Sequence, residues 1–517
     1  MSINKVEISL IKMIVENRSL NLNDAEKKFL KSPIALKRNI QNINQFLPED
    51  GKVQIKKGKI VSKLSYINLL NFIKEININN YSSNSSERIN LLMVFCLIKN
   101  PLNKTKLYNE LGISLSTLKN DTKQLKKTLL LFDLKLEISP KKGVFISGKE
   151  EQYRILVTSI LFNIIDIDSN RFLKVRNAIT PLDNYIANEF INNFKNEVNE
   201  SIKELNYFFK KNNLKITNRS RKYICIYFSI AKKRIKEKKF IKTNFNPPLF
   251  IPKSALVSKE KENLILNIIM ESLDYPLFYI NNCDKKLKNQ IENLITLIDE
   301  EITISKFEEE DFFKEVYNYI YKCILRRHYG LDFFDHKISG LSEKDSPLFS
   351  LLNSKITSIE NFYNIKFTKN QKITLTLILK KYIMRNNIVE RNQKKIILVT
   401  TYASEVVNYF IEQSKRYIDI DIIAIISTDE LESLIYLNYD SIFVFSSRVK
   451  FILSEHGIDS FKINFHLSKD DIKMLLGNGF SESKSRIKAD LLIEEIRGLS
   501  DEKLKLLLKK KFSNFFL

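Results

Sequence analysis

Residues 32–44 have the sequence SPIALKRNIQNIN, and residues 114–126 have the sequence SLSTLKNDTKQLK. The two segments superpose with a lag of 82 residues (114 − 32), which aligns Ser32 with Ser114, Leu36 with Leu118, Lys37 with Lys119 and Ile43 with Leu125. Serine is a good helix N-cap, and proline is well tolerated at the first helical position. Apolar residues recur at helical spacing in both segments, so each is predicted to be an amphipathic helix with one polar face.

Similar elements flank both segments. An amphipathic helix and a short second helix precede each one, at 6–16 and 22–30 and again at 89–98 and 104–111. A basic β-hairpin follows each one, KVQIKKGKIVSK at 52–63 and LKLEISPKKGVFISG at 134–148. This order predicts two helix-turn-helix units with hairpin wings, which we call the first repeat (1–76) and the second repeat (86–150). The polar link INNYSSNSSER (78–88) predicts a loop.

Positive charge is concentrated near the N-terminus. The chain of 517 residues has a net charge of +24. Residues 1–150 contain 26 Lys+Arg and 13 Asp+Glu (26 − 13 = +13), whereas residues 391–517 contain 19 and 18 (19 − 18 = +1). Clustered positive charge is typical of a polyanion-binding surface. The alternative is a generally Lys-rich composition, which explains the total charge better than its uneven distribution.

The polar helix faces and the wings contain the candidate DNA-binding residues. In a helix-turn-helix unit the later helix enters the major groove, and a basic wing contacts phosphates. Simple solvation of these faces is the alternative. The first repeat has Pro33-Ile34 and Ala35 where base-reading polar groups would lie, so we expect it to read bases less well or to act as a spacer. The candidates are Ser116, Thr117, Lys119, Asn120, Lys123, Lys141 and Lys142 in the second repeat, and Lys37, Arg38, Gln41, Lys56 and Lys57 in the first.

The stretch from Ser86 to Arg154, SERINLLMVFCLIKN through GVFISGKEEQYR, resembles the winged helix of the PRD-containing transcription regulators. These include the BglG/LicR/MtlR-type activators and the Mga/AtxA-like virulence regulators. The resemblance implies a mainly α, multidomain protein with paired winged helix-turn-helix domains, two helical PTS-regulation domains (PRDs) and a C-terminal domain similar to the IIB component of sugar phosphotransferases. The implied domains are 1–76 and 86–150 (winged helices), 165–243 and 255–390 (PRD-like bundles) and 394–517 (IIB-like α/β domain).

Residues 151–390 have long apolar-periodic stretches and are predicted to form helical bundles. In the family, a histidine seven residues before an arginine accepts a phosphoryl group. Here the corresponding positions hold Tyr227 (234 − 7), Ile320 (327 − 7) and Tyr319 (326 − 7), none of which can form a phosphohistidine. We therefore expect no phosphoacceptor, and the match shifts toward the Mga/AtxA-like branch. His328 and His336 are out of register and are expected to be surface or packing residues, while Cys225 and Cys323 are expected to be buried.

The periodicity changes at residue 394. Apolar runs at 396–400, 419–427, 441–447 and 461–466 alternate with helical stretches at 403–416, 429–436 and 469–476, which predicts a parallel sheet covered on both faces. The sheet resembles a IIB domain, but the loop after its first strand is Thr400-Thr401-Tyr402 and lacks the family's phosphorylatable cysteine. We expect a structural or dimerising role. The amphipathic stretch 501–517 is expected to pack against a partner helix.

Several classes of protein are disfavoured by composition. The chain has four histidines and 11 glycines, with no GxGxxG, GxxxxGK[ST], HExxH or GxSxG motif, so we expect no enzyme activity, no cofactor and no metal. No apolar run reaches the roughly 18 residues of a membrane span. The N-terminus does not resemble a signal peptide, and the four cysteines are dispersed, so we expect a cytoplasmic protein without membrane contact.

These observations predict a sequence-specific double-stranded-DNA-binding transcription regulator, an activator that binds promoter DNA through paired winged helices and forms a homodimer through its PRD-like and IIB-like domains. RNA polymerase is a further candidate partner. One alternative is an RNA-binding antiterminator, but such proteins begin with a short β-rich module and this chain begins with helices. Another is a phosphotransfer protein, which needs His or Cys at the acceptor positions. Their absence also argues against partners such as HPr.

Overall fold

A computed structural model describes residues 2–168, 171–252, 256–275, 284–299, 309–331, 346–385, 394–481 and 483. Over these ranges the chain is mainly helical, with a small parallel sheet near its C-terminal end. This confirms the prediction of a mainly-α multidomain protein. His336 and the stretch 501–517, both discussed above, lie outside the described residues.

The predicted order of elements occurs twice at the N-terminal end. The first repeat contains β1 (Ile3–Asn4), α1 (Lys5–Asn17), β2 (Ser19–Asn21), α2 (Leu22–Phe29), α3 (Pro33–Asn44), β3 (Gln54–Lys56), β4 (Lys59–Val61) and α4 (Tyr66–Glu75). After β5 (Tyr81–Ser82), the second repeat contains α5 (Ser85–Ile98), α6 (Lys104–Glu110), α7 (Leu115–Leu130), β6 (Leu134–Ser139) and β7 (Gly143–Gly148).

The two repeats share local contacts as well as element order. Ser32 Oγ accepts the Ala35 N–H at 3.3 Å, and Ser114 Oγ accepts the Thr117 N–H at 3.2 Å, as expected for serine N-caps. The lag of 82 residues also aligns Leu20, which pairs with Ile60 of the first hairpin, with Leu102, which forms an isolated bridge with Val144 of the second. Both hairpins are therefore anchored to the segment before the second helix of their own repeat.

The link between the repeats is more ordered than its polar sequence predicts. β5 pairs in parallel with β1, with Tyr81 opposite Ile3, and α5 begins at Ser85 rather than near residue 89. Asn84 and Glu87 form a capping box at the start of α5. The Ser/Asn-rich run that predicted a loop therefore contains a strand and a helix cap, because serine and asparagine favour caps as well as turns.

The middle of the chain is helical, as predicted, with one exception. β8 (Ile165–Ile167) and β9 (Leu173–Val175) form a short antiparallel pair after α8. Cys225 and Cys323 are buried, as expected. The helices of this middle region are α8 (Glu150–Ile164), α9 (Pro181–Asn193), α10 (Lys195–Lys211), α11 (Asn218–Lys236), α12 (Glu260–Glu271), α13 (Lys285–Asp299), α14 (Glu309–Tyr329), α15 (Ser346–Lys355), α16 (Thr357–Phe362) and α17 (Lys369–Arg385).

Buried ion pairs connect the second wing to the helical middle. α8 follows β7 after a single residue, and its first turn carries Glu150 and Arg154. Glu150 accepts two hydrogen bonds from Arg234 of α11, at 2.8 and 2.7 Å. Arg154 donates to Glu262 of α12 at 2.6 and 3.2 Å. Charge pairs with several satisfied hydrogen bonds fix the geometry of the helices that carry them.

The C-terminal region is the predicted α/β domain. It contains β10 (Lys394–Val399), α18 (Ser404–Ser414), β11 (Ile420–Ile426), β12 (Ser441–Val444), α19 (Ser447–Glu455), β13 (Phe461–Lys462) and α20 (Lys469–Gly477). The strand order is β11-β10-β12-β13, and all neighbours are parallel. Alternate residues of β10 enter two different apolar clusters, one with Phe410 and the other with Leu453, so both sheet faces are covered. The predicted helix at 429–436 is a 3-10 helix over Leu431–Tyr436.

None of the helices in the described ranges is long and apolar enough to cross a membrane.

Replacing Glu262 with alanine should destabilise the folded chain by about 3 kcal/mol, because it removes one of the two carboxylates that pair with the buried guanidinium of Arg154. The side chain of Arg154 has 0% exposure and that of Glu262 has 3%. Urea denaturation followed by circular dichroism measures the loss. The matched control is Glu292→Ala, which breaks the exposed Lys288–Glu292 pair (49% and 50% exposed) and should cost less than about 1 kcal/mol. Equal losses in the two variants would contradict the assignment.

Candidate nucleic-acid interface

The α7 helix has a sharply divided surface. Ser116, Lys119, Asn120 and Lys123 are exposed, and Thr117 is half-buried beside its N-cap. They lie along one side of the helix, while the opposite side carries the apolar core positions Leu118, Leu125 and Leu129 together with Asp121. The structure therefore brings the five predicted residues of this helix onto one polar surface.

A buried carboxylate orients that surface. Asp121, which is 1% exposed, accepts hydrogen bonds from Arg88 at 2.6 and 3.2 Å, from Ser85 Oγ at 2.6 Å and from Tyr108 OH at 3.1 Å. These partners come from α5 and α6, so one side chain connects all three helices of the second repeat. Burial, followed by the charge of Asp121, raises the pKa of Tyr108 and keeps its phenol protonated as a donor.

The second wing has Lys141 and Lys142 at its tip, both exposed. Lys141 has a φ of +60°, and the turn closes with a hydrogen bond from Lys142 N to Ser139 O at 3.1 Å. Gly143 follows with a φ of +132°, and a Cβ there would lie 2.3 Å from Leu102 O. Only glycine allows this strand to approach Leu102, and the approach fixes the position of the basic tip relative to α6.

The first repeat presents the corresponding residues. Lys37, Arg38 and Gln41 are exposed along α3, and Lys56 and Lys57 are exposed on its wing. Lys57 and Gly58 have φ values of +48° and +74°, as in the two-residue hairpin turns that match strand twist. The predicted residues of each repeat therefore lie on one helix and one wing of that repeat.

The two repeats differ at the positions that decide how a helix reads bases. Ile34 takes the place of Ser116 and is 66% exposed, so the first repeat presents an apolar side chain where the second has a hydroxyl. Asn39 takes the place of Asp121, so α3 lacks the carboxylate that α7 buries at this position. Weaker base reading by the first repeat stays a prediction.

Two further lysines contribute to the basic surface of the second repeat. Lys104, at the start of α6, donates to Thr122 Oγ1 at 3.1 Å. The second lysine is Lys126. Burial is the larger cause that lowers the pKa of Lys104, and the charge of Lys126 lowers it further. Neither residue is predictable as part of the site from the sequence, because their proximity depends on how α6 packs on α7. The crowding of positive charge at this corner is itself favourable for binding an anion.

The positions aligned with the family's phosphoacceptors are inaccessible. Tyr227 is 0% exposed within α11, and Ile320 is 1% exposed within α14. In the loop after β10, Thr400 is buried and Thr401 is half-buried. His328 lies exposed near the end of α14 beside Tyr329, with ring centroids 4.9 Å apart.

Residues 70–161 match the Mga helix-turn-helix domain. The matched range contains the whole of the second repeat, together with most of α4 and α8. The match supports a Mga-like regulator that binds DNA. No curated protein matches the chain.

Replacing Asp121 with asparagine should destabilise the second repeat by about 3 kcal/mol, because Arg88 would lose its buried counter-charge. Hydrogen exchange of the amides of α5, α6 and α7 in the full chain measures the effect locally. The control Asp133→Asn removes the exposed pair with Lys149, whose side chains are 69% and 50% exposed, and should cost less than about 1 kcal/mol. Unchanged exchange in Asp121→Asn would contradict the proposed role of this network.

Replacing Gly143 with alanine should detach the second wing from Leu102. The new Cβ would overlap the Leu102 carbonyl, and a positive φ adds strain of about 1–3 kcal/mol. The reciprocal hydrogen bonds between Leu102 and Val144, at 2.7 and 2.9 Å, should open, so their amides should exchange roughly tenfold or more faster. Gly58→Asn in the first wing is the control, because nothing lies within 4 Å of its Cβ and asparagine tolerates this conformation. Equal exchange rates for wild type and Gly143→Ala would show that the approach is unimportant.

Proposed function

We propose that this protein is a sequence-specific, double-stranded-DNA-binding transcription activator that contacts promoter DNA through both repeats. The observation that carries the proposal is the exposed polar face of α7, which lies in the part of the chain that matches a helix-turn-helix domain. Its lysines and asparagine are side chains that hydrogen-bond to base edges in the major groove. The wings supply lysines suited to phosphates.

The net charge of +13 over residues 1–150 supports this function over a general Lys-rich composition. The one carboxylate of α7, Asp121, is buried and paired, whereas the lysines of α7 and of the wing tip are exposed. When these exposed lysines bind phosphates, they displace the counterions that are condensed on the DNA, and this release favours binding.

Self-association through the C-terminal domain is part of the proposal. β11 is an edge strand of the described sheet, and its outward residues Ile423 and Ile425 are exposed. The nearby 3-10 helix adds Ile435 and Tyr436, which are 84% and 87% exposed. An edge strand of the described sheet that exposes large apolar side chains is suited to pairing with a second copy. Two copies would present four repeats to DNA.

The burial of Tyr227 and Ile320 supports a regulator that does not take up phosphoryl groups at these positions. A phosphotransfer protein needs a nucleophile that its partner can reach. The same burial argues against recognition of these helices by HPr.

Replacing Lys119 and Lys123 together with alanine should raise the Kd for a DNA site selected from a random library by about 30-fold or more, because each of the two lost base contacts costs about 1–3 kcal/mol and about 1.4 kcal/mol is tenfold in Kd. Replacing Lys141 and Lys142 should instead weaken all DNA similarly and reduce the slope of log K against log salt by about 2. Fluorescence anisotropy over a salt series on selected and scrambled duplexes measures both effects.

The matched control is Lys210→Ala with Lys211→Ala, which removes two exposed lysines from the end of α10, away from both repeats. It should leave selectivity unchanged. Equal effects of the α7 pair on selected and scrambled DNA would overturn base reading by α7. Binding of single-stranded RNA in preference to both duplexes would favour the antiterminator instead.

A further inference from the structure

A cavity of about 210 Å³ lies at the carboxyl end of the C-terminal sheet. In the sheet, β10 and β12 are neighbours, with β11 beyond β10 and β13 beyond β12. The chain crosses from β10 to β11 on one side and from β12 to β13 on the other, so the loops after β10 and β12 diverge. Such a divergence creates the crevice in which open α/β sheets bind ligands. The loops contribute Thr400 and Thr401 from one side and Ser446 from the other. The remaining walls come from α1 and from the segment before α9.

Cationic side chains from three parts of the chain line this cavity. They are Lys12 of α1, Arg176 from the segment before α9, and Arg448 of α19. Lys12 donates to Ala178 O at 2.6 Å, and burial together with the charge of Arg176 lowers its pKa to about 8. Burial and the charge of Arg448 likewise lower the pKa of Arg176. The three positive charges therefore repel one another in a partly desolvated space.

Two carboxylates offset part of this positive charge, and one of them, Glu16, itself lines the cavity. Glu16 accepts from the Ser447 N–H at 3.1 Å and pairs with Lys462 at 3.3 Å. Asp166 pairs with Arg448 at 2.5 Å and with Lys222 at 3.4 Å. These contacts hold the α/β domain against α1 and β8. Because Asp166 neutralises Arg448, Lys12 and Arg176 are the cavity cations that have no ion pair among the described residues.

The hydroxyl groups at the cavity are arranged as donors. Thr400 Oγ1 accepts the Tyr402 N–H at 3.1 Å, and Ser446 Oγ accepts the Val449 N–H at 3.2 Å. Each hydroxyl has then used its oxygen as an acceptor and retains its own proton to donate. Hydroxyl donors together with guanidinium and ammonium groups form the donor set that a phosphate group prefers.

We propose that this cavity binds a phosphate group, as the free ion or as the ester of a small metabolite, and that the bound phosphate holds the α/β domain against the first repeat. The volume is below the 300–1,000 Å³ typical of drug-sized ligands, so the occupant is small. A dianion would replace the repulsion among Lys12, Arg176 and Arg448 with attraction to each. Binding itself does not depend on the proposed DNA function. Only its consequence for DNA rests on that proposal.

Isothermal titration calorimetry of the full chain, in buffer containing chloride, tests the site with inorganic phosphate and with glycerol 3-phosphate as probes. Both are expected to bind saturably, at one site per chain. Tighter binding of the ester would identify a metabolite as the source, and tighter binding of the free ion would identify inorganic phosphate; either outcome supports the site. Absence of saturable heat with both probes would overturn it.

Variants locate the site. Arg176→Gln should weaken phosphate binding at least tenfold. Lys12→Met should have the same effect, because it removes the ammonium group that donates to Ala178 O at the cavity. Lys450→Gln removes an exposed lysine from α19, two residues beyond Arg448, and should change binding less than twofold. Circular dichroism checks that each variant folds, and either cavity variant suffices. Wild-type affinity in a folded cavity variant would overturn the assignment.

A DNA titration with and without saturating phosphate then separates the two proposals. Phosphate should shift the Kd of the wild type but not that of Arg176→Gln. If phosphate binds and DNA does not, the cavity stands and the DNA-binding function fails. If both bind and phosphate leaves the DNA Kd unchanged, the proposed coupling between the cavity and the first repeat is wrong.

Discussion

The buried carboxylate of Glu87 is the contact on which the arrangement of the N-terminal half depends. It is 0% exposed and accepts hydrogen bonds from Tyr81 OH at 2.5 Å, Asn84 N at 3.0 Å and Thr180 Oγ1 at 3.2 Å. Lys5 of the first repeat lies 3.9 Å away. One charge at the start of α5 therefore joins the first repeat, the link, the second repeat and the N-cap of α9, and its position at a helix N-terminus is electrostatically favourable.

The C-terminal domain contacts several other parts of the chain. Glu16 of α1 accepts a hydrogen bond from the first turn of α19, and Tyr66 of α4 packs on Phe451 with ring centroids 5.8 Å apart. On the other side, Lys322 of α14 pairs with the fully buried Glu405 of α18 at 2.8 Å. The α/β domain thus contacts the first repeat directly. It also contacts α11, where Arg221 lies 3.6 Å from Asp429, and Arg234 of the same helix binds Glu150 beside the second wing.

Periodicity and capping residues predicted much of this fold. The helices have separate apolar and polar sides, and Ser32 and Ser114 are the N-caps of α3 and α7. The same patterns could not reveal Asp121 or Glu87, since a buried carboxylate looks like a surface residue until its partners are brought together by tertiary packing. The β8–β9 pair was missed because Ile165 continues the apolar run of α8 and because both strands are only three residues long. For the candidate interface, the exposed lysines of α7 were predictable, whereas the clustering of Lys104 with Lys126 required the packing of α6 on α7.

The most direct test of the central claim is a pulldown of sheared genomic DNA by the full-length protein, with sequencing of the bound fragments over a salt series. Paired reading helices predict that a few promoter fragments are enriched and that their enrichment persists near physiological salt. Uniform recovery of all fragments that disappears as salt is added would contradict the account, because it would reduce the basic repeats to a non-specific polyanion-binding surface.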